Sequence, residues 1–309
     1  MAIDLPPTLK QRLRPIASGV RRAARPFIHR RKRHDYARDS AAVLTDTQRQ
    51  AWSEGGFLHL PGFFTVDRVQ SVNSLIDRLW ADQAGLGGDA VIDVFVGTPQ
   101  ERRSTLAVAP SAARLQPYKL NDLYLGHAAI REIALDERLA AILAELNAGA
   151  PIVCNTLNLE FGSQQADHTD SLYMAAPDGE HLIASWIALE DGHLDAGPLR
   201  YWPRSHRIEP YRNKHGGLQH RDDEVDAYRV YMAAEVARRG LKVERLVPRA
   251  GDLFIWHGQL FHGGEAIADP SRTRRSLVTH YWRARDVEGI HAEIGKGRYW
   301  HARKAHQVG

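Results

Sequence analysis

PIVCNTLNLEFGSQQADHTDSLYM, residues 151–174, is where the chain changes character. Over Val153–Phe161 apolar and polar residues alternate, the period of a strand with one face covered. Gly162 and a polar run, Ser163–Asp167, then lead into His168-Thr169-Asp170. Side chains at i and i+2 on extended backbone project to the same side. An imidazole and a carboxylate from this short segment can therefore meet one metal ion, at the end of a strand where a sandwich opens a pocket.

The triplet is not diagnostic by itself. With 16 His in 309 residues, roughly one His-x-Asp is expected by chance. Two others exist, His193-Leu194-Asp195 and His220-Arg221-Asp222. The first lies in a Gly- and Asp-containing turn that needs no metal to explain it. The second lies in the charged run QHRDDEVD, which reads as a solvated face.

Upstream of residue 151 the pattern is helical. Leu44-Thr45-Asp46 followed by Gln48 reads as a capped helix start. Val69, Val72, Leu75, Ile76 and Leu79 share one face of a helix over 67–80, which Gly85–Gly88 ends. The clearest remaining helix runs over 130–146, in a segment otherwise of helices and loops. Gly55–Phe64 is a short strand with turns. Downstream, strands are expected over 181–190, 197–203, 251–264 (two, around a turn) and 274–282. A polar insertion lies at 205–240, with one helix near 226–238. The expected fold is α+β with a mainly β core: an antiparallel sandwich or jelly roll flanked by N-terminal helices.

A His and a carboxylate need a third partner. His257 and His262, in WHGQLFHGG, are both placed to supply it. Two His and one carboxylate on one face of an octahedral metal is the arrangement of non-haem Fe(II) oxygenases. With one cysteine, Cys154, the chain has neither a disulfide nor a Cys-rich zinc site. Arg274 opens a strand twelve residues after His262. A guanidinium there can pair bidentately with a carboxylate, as a cosubstrate such as 2-oxoglutarate would require.

Hydrophobic and charged fractions of 43% and 25% are those of an ordinary globular protein. No apolar run reaches 18 residues, so no spanning helix is expected. The simplest location is cytoplasmic. Charge is uneven: residues 1–40 hold 11 Lys/Arg against 3 Asp/Glu, a net +8 within a chain total of +4. That segment reads as a basic arm, either solvated or a surface helix on the inner face of an anionic membrane. No aromatic-interleaved basic pattern supports nucleic-acid binding. Oligomeric state is not written in the sequence.

Four blocks together resemble the phytanoyl-CoA dioxygenase family of Fe(II)/2-oxoglutarate-dependent oxygenases: FGSQQADHTDSLY, WIALEDGHLDAGPLRYWPRSH, GDLFIWHGQLFHGGEA and RTRRSLVTHYW. PYKLNDLY, residues 117–124, is also similar. The resemblance implies a double-stranded β-helix of cupin-like type over 41–290, with a basic tail at 291–309. It implies His168, Asp170 and His262 as metal ligands and Arg274 as the cosubstrate arginine, with Arg275 on the opposite face. Ser276, Val278 and His280 share the face of Arg274. Lys119, Thr156, Asn158, Gln165 and Trp186 are expected to line the pocket, with Lys119, Gln165, Trp186 and Ser276 toward the cofactor. The implied cofactors are Fe(II), 2-oxoglutarate and O2, with ascorbate able to keep iron ferrous. The implied oxidoreductase chemistry is hydroxylation of a small molecule, and a carboxylate at Asp170 favours it over halogenation. A cupin-like protein independent of 2-oxoglutarate, or a non-catalytic binding module at a membrane, are the competing classes. Substrate walls are expected from 171–178 and 206–239, which suggests a polar or anionic substrate. Two positions depart from the family pattern: Gly264 replaces a Ser, and Arg204 replaces a Gly, as either a solvated loop arginine or one reaching toward the pocket mouth.

Overall fold

A computed structural model describes residues 43–289 and 291–304; the basic arm of residues 1–40 lies outside them. Helix α1, Asp46–Gly55, starts at Thr45 with a capping box. The Thr45 side chain accepts from the Gln48 N–H, and the Gln48 side chain accepts from the Thr45 N–H, so two orphan donors of the first turn are satisfied. Strand β1, Phe57–Leu60, follows. Helix α2, Val66–Ala81, buries the five apolar residues its sequence placed on one face.

The stretch after α2 is not only helix and loop. It contains β2 (Val91–Val94), β3 (Arg102–Thr105) and β4 (Tyr118–Asn121). Strands of four residues are too short to show a period of two against neighbouring loops. The single helix expected over 130–146 is two, α3 (Ala128–Ala134) and α4 (Glu137–Leu146). Asp136 makes the break: its side chain accepts from the Arg138 N–H and caps α4, the usual competition of a short acidic side chain with helix continuation.

The remaining elements are β5 (Pro151–Leu159), α5 (Ser171–Met174), β6 (Ile183–Ala188), β7 (Leu199–Tyr201), α6 (Asp222–Arg238), β8 (Glu244–Leu246), β9 (Leu253–His257), β10 (His262–Gly264), β11 (Ser276–Arg283), β12 (His291–Glu293) and β13 (Tyr299–His301). The large sheet runs β1-β9-β6-β11-β5-β4-β2-β3, antiparallel throughout, with β13 parallel to the start of β5 and β12 beside β13. Residues 291–301 are thus part of the sheet rather than a separate tail; three-residue strands leave no periodic signal. The small sheet is β10-β7-β8.

Alternation along β6 and β9 divides the apolar residues between two cores. Ile183, Ile187, Leu253 and Ile255 face α2, α3 and α4. Ala184, Trp186, Ala188, Phe254 and Trp256 face Leu199, Tyr201 and Leu246 of the small sheet. Each fully buried aliphatic side chain contributes about 1.5–3 kcal/mol, so a one-residue slip of either strand would empty both cores. The result is the expected jelly roll flanked by helices. Helix α6, four residues longer at its start than expected, packs Tyr228 and Met232 on Leu172, Ile208 and Phe261 in a third cluster.

Candidate metal centre

His168 and His262 sit opposite each other in an antiparallel bridge. The His168 N–H donates to the His262 carbonyl at 2.8 Å, and the reverse bond is 2.9 Å. The His-x-Asp segment is therefore an added rung on the edge of β10. Its close approach is why two glycines follow His262. A Cβ on Gly263 would lie 2.3 Å from Asp167 Oδ1, and one on Gly264 2.5 Å from Ser163 Oγ and 2.8 Å from the Gln164 nitrogen. The serine expected at 264 has no room; the Ser163 hydroxyl occupies that place and lines the same cavity.

His168, Asp170 and His262 converge as one cluster of potential ligand atoms. From Asp170 Oδ1, the Nε2 of His168 is 3.8 Å away and that of His262 is 3.5 Å. Both rings are locked the same way: Nδ1 meets the carbonyl two residues upstream, Ala166 at 2.8 Å and Leu260 at 2.9 Å. A carbonyl only accepts, so Nδ1 carries the proton and Nε2 is left bare for a metal. The Trp256 indole N–H donates to Asp170 Oδ2 at 2.8 Å, leaving Oδ1 for the cluster. Burial pushes His168 down to about 3, with the neighbouring His262 adding to the shift, so it is neutral at pH 7 as ligation requires. Burial opposes the charge of Asp170, but His262, His280 and His168 together hold its carboxyl well below the usual carboxylate range. Between the two ligands, Thr169 is pinned by Tyr228 of α6, whose hydroxyl accepts from the Thr169 N–H at 2.7 Å and donates to its Oγ1 at 3.0 Å.

The alternatives fall elsewhere. His257 lies outside the cavity against Trp52 and His206, accepting at Nδ1 from the Gln259 N–H. His220 rests between Tyr211 and Tyr228. Asp195 pairs with Arg272. A second grouping, Asp178, His181 and Asp286, is bridged by the Arg283 guanidinium.

The triad opens into a cavity of about 580 Å³. Arg274, Lys119, Gln165, Trp186, Val278 and His280 line it. Arg274 is 5% exposed, its guanidinium 5.8 Å from the Trp186 ring centre, and its Nε and Nη1 have no hydrogen-bond partner among the described residues. Burial lowers its pKa to about 10, which still leaves it cationic at neutral pH. Arg275 faces away, ion-paired with Glu160 and Asp77.

Several expectations are corrected. Thr156, Asn158 and Ser276 are buried but do not reach the cavity. On β5 the odd positions Asn155, Leu157 and Leu159 face it, so Thr156 and Asn158 belong to the other face. Of the expected substrate walls, Tyr173 and Met174 are present, but nothing from 206–239 is. That insertion packs Ile208, Tyr228 and Met232 on Leu172 and Phe261 instead. The facing wall comes from Asp93, Val96, Gly97, Glu101 and Arg103, around β2 and β3. Arg204 is exposed and off the cavity; its φ of 73° is left-handed, which explains a glycine there in the family pattern.

A sequence profile of the phytanoyl-CoA dioxygenase (PhyH) family matches residues 52–276. The chain is 25% identical over 277 residues to bovine (Bos taurus) phytanoyl-CoA dioxygenase domain-containing protein 1, covering 79% of this chain and 91% of that one. It is 25% identical over 259 residues to the ectoine dioxygenase of Halomonas elongata, covering 79% and 72%. Among solved structures, EctD from S. alaskensis with bound Fe superposes with a TM-score of 0.58 at 19% identity, covering 80% and 79%. The same protein with 2-oxoglutarate and 5-hydroxyectoine gives 0.57 at 17%, covering 80% and 79%. With its profile match spanning most of the sequence, the chain belongs to the phytanoyl-CoA dioxygenase (PhyH) family of Fe(II)/2-oxoglutarate-dependent oxygenases.

Proposed function

We propose that this protein hydroxylates an unactivated C–H bond of a small molecule, with Fe(II) held by His168, Asp170 and His262 and 2-oxoglutarate held through Arg274. The observation that carries this is a buried guanidinium with no counter-ion among the described residues, in the same cavity as a His-Asp-His cluster. A buried cation is costly unless paired, and a dicarboxylate cosubstrate supplies the missing charge. A metal protein that used no such cosubstrate would leave Arg274 without a role. The donor set fits iron: two imidazole nitrogens and one carboxylate oxygen, with the remaining positions open.

Bound together, iron, 2-oxoglutarate and O2 supply the oxidant for C–H cleavage. The chain supplies the rest. Trp256 orients Asp170, Tyr228 fixes the turn between the two upstream ligands, and Trp186 flanks the cosubstrate arginine. Apolar walls at Leu157, Leu159, Leu199 and Val278 limit water around the reacting carbon. Lys119 and Arg103, both ion-paired with Asp93, form with Glu101 a charged wall of the outer cavity, which favours a polar substrate with charged or hydrogen-bonding groups. The test is anaerobic absorbance on metal-free protein, adding Fe(II) and then 2-oxoglutarate. A visible charge-transfer band that needs both additions is the expected result. Well-folded protein that gives no band would overturn the assignment.

For the basic arm we propose peripheral contact with an anionic membrane surface, motivated by its net +8 and its Leu9, Leu13, Ile16 and Val20 spacing. Among the described residues no helix is long and apolar enough to cross a membrane. Full-length protein should sediment with anionic liposomes at low salt and lose this when residues 1–40 are deleted; equal sedimentation of both forms would rule it out.

A further inference from the structure

We propose that Ser163 is a cosubstrate-binding residue, its hydroxyl donating to the carboxylate that Arg274 pairs with; this rests on the cosubstrate reading above. Parity along β10 places the hydroxyl. His262 and Gly264 are two residues apart on this strand, so their Cβ directions project to the same side. His262 turns its ring to the metal centre, and Gly264 therefore faces the cavity. Ser163 Oγ lies 2.5 Å from where a Cβ on Gly264 would stand. The hydroxyl thus sits on the metal-facing side of the small sheet, about 7 Å along the strand from His262. Arg274 approaches from the large sheet, its guanidinium 5.8 Å from the Trp186 ring centre. Trp186 packs in one cluster with Val278 and with Leu199, the strand partner of Gly264. Ser163, Leu199, Trp186, Val278 and Arg274 all line the one cavity.

The two groups lack the same thing. Arg274 Nε and Nη1 have no acceptor among the described residues. Ser163 Oγ accepts from the Gln165 N–H at 3.4 Å, and among the described residues its own O–H has no acceptor. Two such donor groups, one of them a buried cation, call for an anion with several acceptor sites. A carboxylate has two oxygens with about four lone-pair sites. The guanidinium fork uses one site on each oxygen, which leaves the others for a neutral donor such as a hydroxyl. Ser163 is also held in place beforehand. The Gln165 carbonyl accepts from the Gly264 N–H at 2.9 Å, and Gln164 Oε1 accepts from the Ile267 N–H at 3.3 Å. The φ of Gln164, 50°, is left-handed, a conformation kept where the surroundings demand it. Loop 163–165 is thereby fastened to β10 and to the chain just beyond it, so little ordering remains to be done when the hydroxyl meets its acceptor.

The test uses full-length, Fe(II)-loaded protein without oxygen and reads binding by isothermal titration rather than turnover. Two acids are compared: 2-oxoglutarate, and 2-oxopentanoate, which has the same carbon chain with a methyl in place of the far carboxylate. Ser163→Ala should bind 2-oxoglutarate about 10-fold more weakly, the low end for a hydrogen bond to a charged group, and 2-oxopentanoate within about twofold of wild type. Ser163→Thr, which keeps a hydroxyl, should stay within about threefold of wild type for both acids. Ser163→Gly carries the expectations of the alanine variant should that variant fold poorly. Ser163→Ala binding 2-oxoglutarate as the wild type does would overturn the proposal. So would an equal loss for both acids, the pattern of a residue that only shapes the loop beside His168, or Ser163→Thr being as weak as Ser163→Ala. Wild type that binds the two acids equally well would sink the cosubstrate reading of Arg274 itself, whereas a wild type that prefers 2-oxoglutarate and is unmoved by Ser163→Ala would sink only this inference.

Discussion

Arg274→Met should weaken 2-oxoglutarate binding by about 100-fold while leaving Fe(II) affinity within about threefold. The guanidinium is buried, cationic at neutral pH and short of partners at Nε and Nη1. Removing one side of a buried charge pair costs about 2–5 kcal/mol, and about 3 kcal/mol is roughly 100-fold. Metal affinity is spared because the hydrogen bonds that orient His168, Asp170 and His262 come from Ala166, Trp256 and Leu260, not from Arg274. Stability supplies an independent sign. Truncating a long core side chain ordinarily destabilises, but here the substitution removes an uncompensated charge and keeps most of the volume. The ligand-free variant should therefore unfold no lower than wild type. Wild type should gain about 2.7 kcal/mol from 2-oxoglutarate at 100 times its Kd, and the variant at the same concentration should gain less than about 0.5 kcal/mol. Isothermal titration and thermal unfolding with and without 2-oxoglutarate check both halves. Unchanged cosubstrate affinity would remove Arg274 from the site.

The sequence made the metal cluster legible because each ligand belongs to a block with its own punctuation. His168 and Asp170 follow a strand that ends at Gly162, and His262 precedes two glycines that the structure shows to be sterically required. Arg274 was visible as the residue opening a strand. The wall formed by Asp93 and Arg103 was not, because β2 and β3 are four residues each and lie in a stretch whose neighbours are helical. Thr156 and Asn158 are polar residues on the strand beside the site, yet strand parity assigns the cavity to Asn155, Leu157 and Leu159. Polarity is a poor guide there, since the face toward the pocket carries two leucines. Insertion 205–240 is polar in sequence, but its contribution is apolar packing and one hydroxyl, that of Tyr228. A tyrosine bond to a residue 59 positions away leaves no local trace in a sequence.

Asp170→Asn should reduce Fe(II) affinity by at least about 100-fold without unfolding the protein. The loss has two sources, both fixed by the surroundings. A formal charge disappears from the ligand set, and a neutral amide oxygen is a weaker donor to a hard cation. The second source is orientation. The Trp256 N–H donates to Oδ2 at 2.8 Å, so an asparagine in this place must turn its oxygen toward Trp256. Its NH2 then faces the position of Oδ1, 3.5 Å from the bare Nε2 of His262 and 3.8 Å from that of His168. Those nitrogens accept from it, and the amide occupies the place the metal would take. The metal-free fold keeps its packing, since the side chains are isosteric and every donor still has an acceptor. Thermal unfolding of the metal-free variant should stay close to wild type, while anaerobic Fe(II) titration shows the loss. An Asp170→Asn protein that binds Fe(II) within tenfold of wild type would mean that the carboxylate does not hold the metal.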